Sequence, residues 1–318
     1  MKFSFVIIKK AVYMAAKKMG LESTYSKFTI KYKMWYFGRM NPSRYPQAVK
    51  KWYYRHTGME LNLDNPKTYI EKLHWLLLFD NTPIKEVVAD KYRVKAWVEE
   101  KIGSKYVIPL LGVWKTANEI NFDKLPNSFV LKTNAGANSQ NIIFVKNKNM
   151  LDKKKSIKKL DYWLKLNIAF VQDDWPLKLH YLHMPPCIIA EEYLENLGVE
   201  YKFFCFSGEP KFFYIAVEDP VNPRHAVYDM NFQKAPFSWM QDRPHECEQA
   251  RPDNFDEMIN IAKKLSEGFV FVRVDLYNVE GKIYFGEMTF GSHGGVQNIQ
   301  PPEYQRILGD MIKLPVET

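Results

Sequence analysis

Residues Arg273 to Gly295, RVDLYNVEGKIYFGEMTFGSHGG, constrain this chain more than any other stretch. An apolar run from Phe269 to Val272 leads into Arg273, Val274, Asp275, Leu276 and Tyr277, which alternate with the period of a strand. Asn278 to Gly281 supplies a turn, and Lys282 to Phe285 reads as the returning strand. Side chains two apart share a sheet face, so Arg273 and Asp275 look the same way. A hairpin closed near Glu280 and Gly281 sets Glu287 roughly opposite Asp275. Two carboxylates and a guanidinium then stand on one side of a sheet, followed by a Gly/Ser loop. Hard oxygen ligands beside an arginine suit Mg²⁺ and a phosphate chain. In isolation the same hairpin also reads as a solvated face with a surface ion pair. The rest of the chain decides between them.

The net charge of +9 is unevenly placed. Met1 to Glu60 holds 13 lysines and arginines against two acids, Glu22 and Glu60, which leaves the remainder two charges negative. A near-neutral body disfavours a nucleic-acid enzyme with a basic cleft, and no nucleic-acid partner is expected. The chain has 318 residues, 46% of them hydrophobic, enough for two or three globular domains. Its apolar runs are too short to span a membrane. Lys9, Lys10, Lys17 and Lys18 interrupt any signal-peptide core, and no small-residue cleavage site follows, so retention in the cytoplasm is expected. Cys187, Cys205 and Cys247 are widely spaced and form no CxxC pair, which fits a reducing compartment without structural zinc.

In chain order, residues 1 to 20 suggest an amphipathic helix with Phe5, Ile8, Val12 and Met19 on one face and lysines outside it. Tyr25, Phe28, Tyr32, Trp35 and Tyr36 continue at helical spacing. Such a basic, aromatic arm suits either an anionic membrane surface or ordinary packing against the body. Tyr53 to Asp64 reads as irregular. Helices are expected from Asn65-Pro66 through Leu78 and from Ile84 to Gly103, the latter containing Asp90-Lys91. Pro109 to Val113 leads into a polar segment. Ser128 to Lys132 is a buried-type strand, TNAGANSQ a small-residue loop, and Asn141 to Val145 a second strand. Such a loop can fold over phosphates through its N–H groups, although no Walker sequence is present. Asp152 to Val171 reads as one helix with a lysine-rich face, and His180 and His183 carry no assignment. Ile188 to Leu194, Glu200 to Phe206 and Lys211 to Val217 are strands. In the second of these Lys202 is either an edge gatekeeper or a phosphate ligand. Residues 220 to 250 look loop-rich, and Phe255 to Glu267 is a helix feeding the opening hairpin.

The segments PKTYIEKLHWL, ADKYRVKAWV, LPNSFVLKTNAG, YKFFCFSGEPK, FVRVDLY and IYFGEMTFGSHGG, in this order, resemble the TupA-like ATP-grasp family over about residues 60 to 310. The resemblance implies an α+β fold in which two subdomains clamp ATP. It implies a basic helical arm over 1–60 and a helical region over 61–125. The first ATP-grasp subdomain, with the phosphate loop, would span 126–190. The second, with the hinge, Mg²⁺ and substrate sites, would span 191–318. Lys91, Lys132 and Lys202 would meet ATP phosphates, and the loop containing Asn134, Gly136 and Ser139 would close over them. Glu191, Glu192, Tyr193 and Leu194 would form the hinge beside the adenine and ribose. Asp275 and Glu287 would hold Mg²⁺. Thr289, where many relatives carry asparagine, would offer a second ion only a hydroxyl. Arg273 would stabilise the phosphoryl group and the oxyanion that follows, with Lys132 assisting. Ser292, His293, Gly294 and Gly295 would contact the substrate, with His293 one candidate general base.

The family is associated with bacterial surface-polysaccharide biosynthesis. The reaction implied is ATP-dependent amide formation between an amino-acid amine and a uronic-acid carboxyl on a polysaccharide or its precursor. The alternatives are a glycosyltransferase or kinase on the same nucleotide fold, and a binding module that has lost catalysis. The absence of a clear DxD speaks against a sugar-nucleotide transferase. The basic arm would suit an anionic polymer or the inner membrane face.

Overall fold

The structure, a computed structural model, describes residues 22–136, 141–171, 177–195, 197, 199–217, 224–239 and 249–315. The helix expected over residues 1 to 20 and the loop residue Ser139 lie outside them. Two antiparallel sheets carry the molecule. The first has the order β1-β4-β2-β3, from β1 (Leu110–Trp114), β2 (Phe129–Thr133), β3 (Ile142–Val145) and β4 (Ile188–Glu192). The second has the order β7-β6-β5-β8-β9. It comprises β5 (Val199–Phe206), β6 (Glu209–Val217), β7 (Arg224–Asp229), β8 (Phe271–Val279) and β9 (Lys282–Thr289).

In the first sheet, period-two alternation sorts the two faces. Phe129 and Leu131 of β2 and Ile188 and Ala190 of β4 pack with Leu160 of the helix α6 (Lys153–Leu164) into a small separate core. Val130, Lys132 and Glu191 take the other face and line a cleft. The second sheet buries Phe203 and Phe213 against Phe255 of α8 (Phe255–Ser266), with ring centroids 5.9 and 5.0 Å apart. Its opposite face carries Phe271, Arg273, Asp275 and Tyr277 along β8. Tyr69, at the start of α3 (Tyr69–Phe79), covers the Phe271 end at 5.6 Å. The charged residues begin where that cover stops.

Several local expectations needed correction. The chain is helical over α1 (Glu22–Gly38) and again over α2 (Tyr45–Thr57), where residues from Tyr53 were read as irregular. α3 starts at Tyr69, after the prolines, because Thr68 and Glu71 form a capping box there, an arrangement that contributes about 1 kcal/mol. The single helix expected over Ile84 to Gly103 is two, α4 (Pro83–Ala89) and α5 (Arg93–Ile102), broken at Asp90-Lys91. The Asp152–Val171 helix is likewise split into α6 and a short α7 (Ile168–Val171). β1, left unassigned ahead of a polar segment, and β7, in a stretch read as loop-rich, are strands. Both are sheet edges and so need little sequence signal. A last helix, α9 (Tyr304–Met311), ends against α3, and Lys72 Nζ donates to the Gly309 and Ile312 carbonyls at 2.8 Å each.

Candidate active site

The β8–β9 hairpin turns at Glu280 and Gly281, both at positive φ (51° and 82°), the primed turn that matches strand twist. Asp275 pairs with Glu287 and Arg273 with Thr289, but Leu276 pairs with Phe285. Gly286 is therefore an extra residue, a β-bulge. A Cβ there would lie 3.0 Å from the Tyr277 ring and 3.1 Å from the Asp275 carbonyl, so the bulge depends on glycine. On the neighbouring strand Lys202 pairs with Asp275 and Glu200 with Tyr277. β5 lies in the middle of its sheet, so Lys202 is no edge gatekeeper. Its ammonium lies 3.3 Å from Asp275 Oδ2 and is paired with Glu200.

Arg273 is the hub. Its Nε donates to Asp275 Oδ1 at 2.6 Å, and its Nη2 reaches Asp275 Oδ2 at 2.5 Å, Glu287 Oε1 at 3.3 Å and Thr289 Oγ1 at 3.1 Å. From the helical region Lys91 Nζ donates to Glu287 Oε2 at 2.9 Å. The helix break makes that reach possible. The Asp90 carboxylate accepts from the Tyr92 and Arg93 N–H groups (2.8 and 3.1 Å) and from Asn134 Nδ2 (2.8 Å). The Lys91 N–H donates to the Asn134 carbonyl at 2.9 Å. On the first sheet Glu191 is gripped by Lys132 and by Lys95 of α5, the latter at 2.7 Å.

The electrostatics follow from this crowding. Burial acts to raise the Glu287 carboxyl, but Lys91, Arg273 and Lys202 outweigh it and hold the group well below the ordinary carboxylate range. Glu191 is lowered in the same way, burial being overcome by Lys132 and Lys95. Burial lowers Lys132, with Lys91 and Lys95 adding like-charge repulsion. Glu200 moves the other way: burial raises it, and Asp275 adds to the rise against the pull of Lys202. Burial pushes the Tyr181 hydroxyl up to about 12.

Lys91, Lys95, Lys132, Glu191 and Glu287 line a cleft of about 220 Å³ that opens to solvent between the two sheets. Val94, Ile108, Val130, Ile142 and Phe144 give it apolar walls, while those lysines and carboxylates give it charge. Apolar walls suit a flat base and the lysines a polyanion. Among the described residues no group of three or more His, Cys, Asp or Glu converges as a metal cage. The donor set still fits Mg²⁺, which takes one or two carboxylates and completes its shell with phosphate oxygens and water.

The sequence-chosen residues divide. Lys91, Lys132, Glu191, Glu192, Tyr193, Leu194 and Glu287 line the cleft, and Lys202, Arg273, Asp275 and Thr289 adjoin them on the second sheet. Asn134 does not face it. Its amide is buried, donating to Asp90 and to the Pro185 carbonyl (2.9 Å) and accepting from the Cys187 N–H (2.8 Å), so it is a brace rather than a phosphate contact. Glu191, expected beside adenine or ribose, is committed to two lysines and positions them. Thr289 donates to Glu287 Oε1 at 2.9 Å, which makes it a support for that carboxylate rather than a free ligand. Gly136 sits at φ 152° with Asn141 packed beside it. Ser292 to Gly295 form a single 3-10 turn beyond β9. His74 of α3, kept neutral because burial pushes it down to about 4, donates from Nε2 to the Gly295 carbonyl at 2.9 Å. A side chain at Gly295 would strike that ring at 2.7 Å. The sequence reading missed Lys95, Glu200 and Tyr277. Spacing could have found them, because Lys95 is four residues from Lys91, and the other two lie two residues from Lys202 and Asp275.

No curated protein matches the chain. Among solved structures, D-alanine–D-alanine ligase from Bacillus anthracis is similar at 19% identity, covering 71% of this chain and 66% of that one, with a TM-score of 0.43. D-cycloserine synthetase DcsG gives 16% identity, 72% of each chain and 0.39. The ATP-grasp ligase PsnB complexed with minimal precursor gives 12%, 73% and 61%, and 0.38. The chain thus spans just under two thirds of the first of these. The TupA-like ATPgrasp family model matches residues 71–313, which contain every strand of both sheets and every cleft residue named above. The chain belongs to the TupA-like ATP-grasp family and has the ATP-grasp fold.

Proposed function

We propose that the chain is an ATP-dependent carboxylate–amine ligase. A substrate carboxylate oxygen attacks the γ-phosphorus of ATP, and the bond to the bridging oxygen breaks with release of ADP. The amine then attacks the carbonyl carbon of the acyl phosphate, its nitrogen loses a proton to solvent, and phosphate leaves with the C–O electron pair, giving an amide. The observation that carries this reading is the convergence of Lys91, Lys202 and Arg273 on Glu287 and Asp275 beside a cleft that Lys132, held by Glu191, and several apolar side chains also line. Lysines at the phosphates offset the charge of the transferring group. Arg273 stays charged at any working pH and can support first the phosphoryl oxygens and then the tetrahedral oxyanion. Mg²⁺, held by Asp275 and Glu287, would supply Lewis acidity and charge neutralisation.

The acceptor proposed is a uronic-acid carboxyl of a surface polysaccharide or its precursor, the amine that of an amino acid, and the compartment the cytoplasm, where ATP is available. Purified full-length protein with ATP, Mg²⁺, a uronic-acid acceptor and pooled amino acids should release ADP and phosphate only when both co-substrates are present. Release of UDP from a sugar nucleotide, or ADP release without an amine and without phosphate, would replace the ligase with a transferase or a kinase.

A further inference from the structure

The solvent face of α1 is unlike the surface of a soluble helix. Phe28, Lys31, Tyr32, Trp35, Tyr36 and Arg39 all point outward from it and its end. Phe28 is 69% exposed, Trp35 55%, Tyr32 51% and Tyr36 42%. The rings are contiguous: Tyr32 stacks on Tyr36 at 5.8 Å and lies 6.1 Å from Trp35, whose face is covered by Arg39 at 5.4 Å. The opposite side of the helix is already docked, with Phe37 stacked on Phe170 of α7 at 6.3 Å and Lys27 over the Tyr162 ring of α6 at 5.8 Å. The aromatic stripe is therefore not a core face awaiting this chain's own described body. A contiguous exposed apolar strip of this kind marks a docking surface.

Charge selects the partner. From Ser23 to Met59 the sequence contains no aspartate or glutamate. The contact at Tyr162 sets α1 beside α6, whose Lys153, Lys154, Lys155, Lys158 and Lys159 are exposed. A second copy of the chain would bring like charges together. A soluble polyanion would meet the lysines but leave Phe28, which has no polar group, against water on a convex helix. Both features are met by a bilayer with anionic headgroups, where Trp and Tyr favour the interface and lysines reach lipid phosphates. No helix among the described residues is long and apolar enough to cross a membrane.

We propose that α1 seats the protein on an anionic lipid surface, its Phe28–Tyr32–Trp35–Tyr36 stripe lying in the interfacial layer and the α6 lysines facing the headgroups. This does not depend on the ligase reading. Full-length protein is floated with phosphatidylcholine vesicles with and without phosphatidylglycerol. Binding is expected only with the anionic lipid, and the Phe28→Ser/Tyr32→Ser/Trp35→Ser variant should lower it roughly tenfold or more. Those side chains are exposed, and an unchanged thermal unfolding midpoint confirms that the variant is folded. Equal flotation of variant and parent overturns the proposal, and that outcome would also result if residues 1 to 21 carried all the binding. Binding independent of phosphatidylglycerol, or binding to soluble polyuronate with none to vesicles, overturns it as well.

Discussion

Glu287 touches Lys91, Arg273 and Thr289 at once, and no other carboxylate in the cleft is reached by both the helical region and the second sheet. On the ligase reading it is the group whose loss removes most. Glu287→Gln keeps shape and volume but removes the charge, so ADP release should fall about 100-fold or more, while the fold is kept because Arg273 retains Asp275. The same variant tests the charge by stability. The folded-state pKa of Glu287 lies below its ordinary value of 4.5. A carboxylate lowered on folding contributes stability that is complete above that value and is lost as pH falls through the folded pKa. Urea unfolding should therefore show the parent ahead of Glu287→Gln by about 2 kcal/mol at pH 7, with the gap closing steadily below about pH 4.5. A gap that stays constant into acid would mean the carboxylate is not paired as described. The alternation of β8 made Arg273 and Asp275 legible as neighbours, and the turn placed Glu287. The bulge at Gly286 was not legible, because one extra residue leaves the apolar pattern of the hairpin nearly unchanged.

At the scale of elements, the break between α4 and α5 matters most. Nothing in VVADKYRV is a proline or glycine, so periodicity alone runs one helix through it. The helix stops because the Asp90 carboxylate caps the Tyr92 and Arg93 N–H groups, the local competition that short polar side chains offer a backbone. Asn134 then ties this cap to the first sheet through three hydrogen bonds. Its role was misread because an asparagine in a small-residue loop resembles a phosphate ligand, and only the fold brings Asp90 and Pro185 to it. Asn134→Ala leaves those partners unsatisfied in a buried place and should cost about 2–4 kcal/mol in urea unfolding. Asn134→Asp should be at least as harmful at neutral pH, since it replaces a donor to Asp90 with a second carboxylate, and acid should partly relieve it. If Asn134 instead served ATP directly, both variants would unfold like the parent and lose only nucleotide binding.

For the whole molecule, the cleft is assembled from three regions far apart in sequence: Lys91 and Lys95, then Lys132 and Glu191, then Lys202, Asp275 and Glu287. Strand alternation and the order of motifs gave the sheets and their sequence of elements. They could not say which lysine meets which carboxylate, because those pairings join segments far apart in sequence. The Lys91–Glu287 contact joins residues 196 apart. A ligand that bridges the same groups should lock the regions together. At a hundredfold excess over its dissociation constant, Mg²⁺–ATP would add about 2.7 kcal/mol, or roughly 5 °C in unfolding midpoint. Lys91→Met removes one charge-assisted contact to phosphate, which weakens binding by about 10- to 100-fold. At the same nucleotide concentration its midpoint should then rise by only about 1–3 °C. Its midpoint without nucleotide should itself fall, because Lys91 is the nearest cation to Glu287, so the nucleotide-induced shift is what is compared. Thermal unfolding of both proteins with and without Mg²⁺–ATP reads this directly. Equal shifts would separate Lys91 from the nucleotide and leave its ion pair as a strut between the helical region and the second sheet.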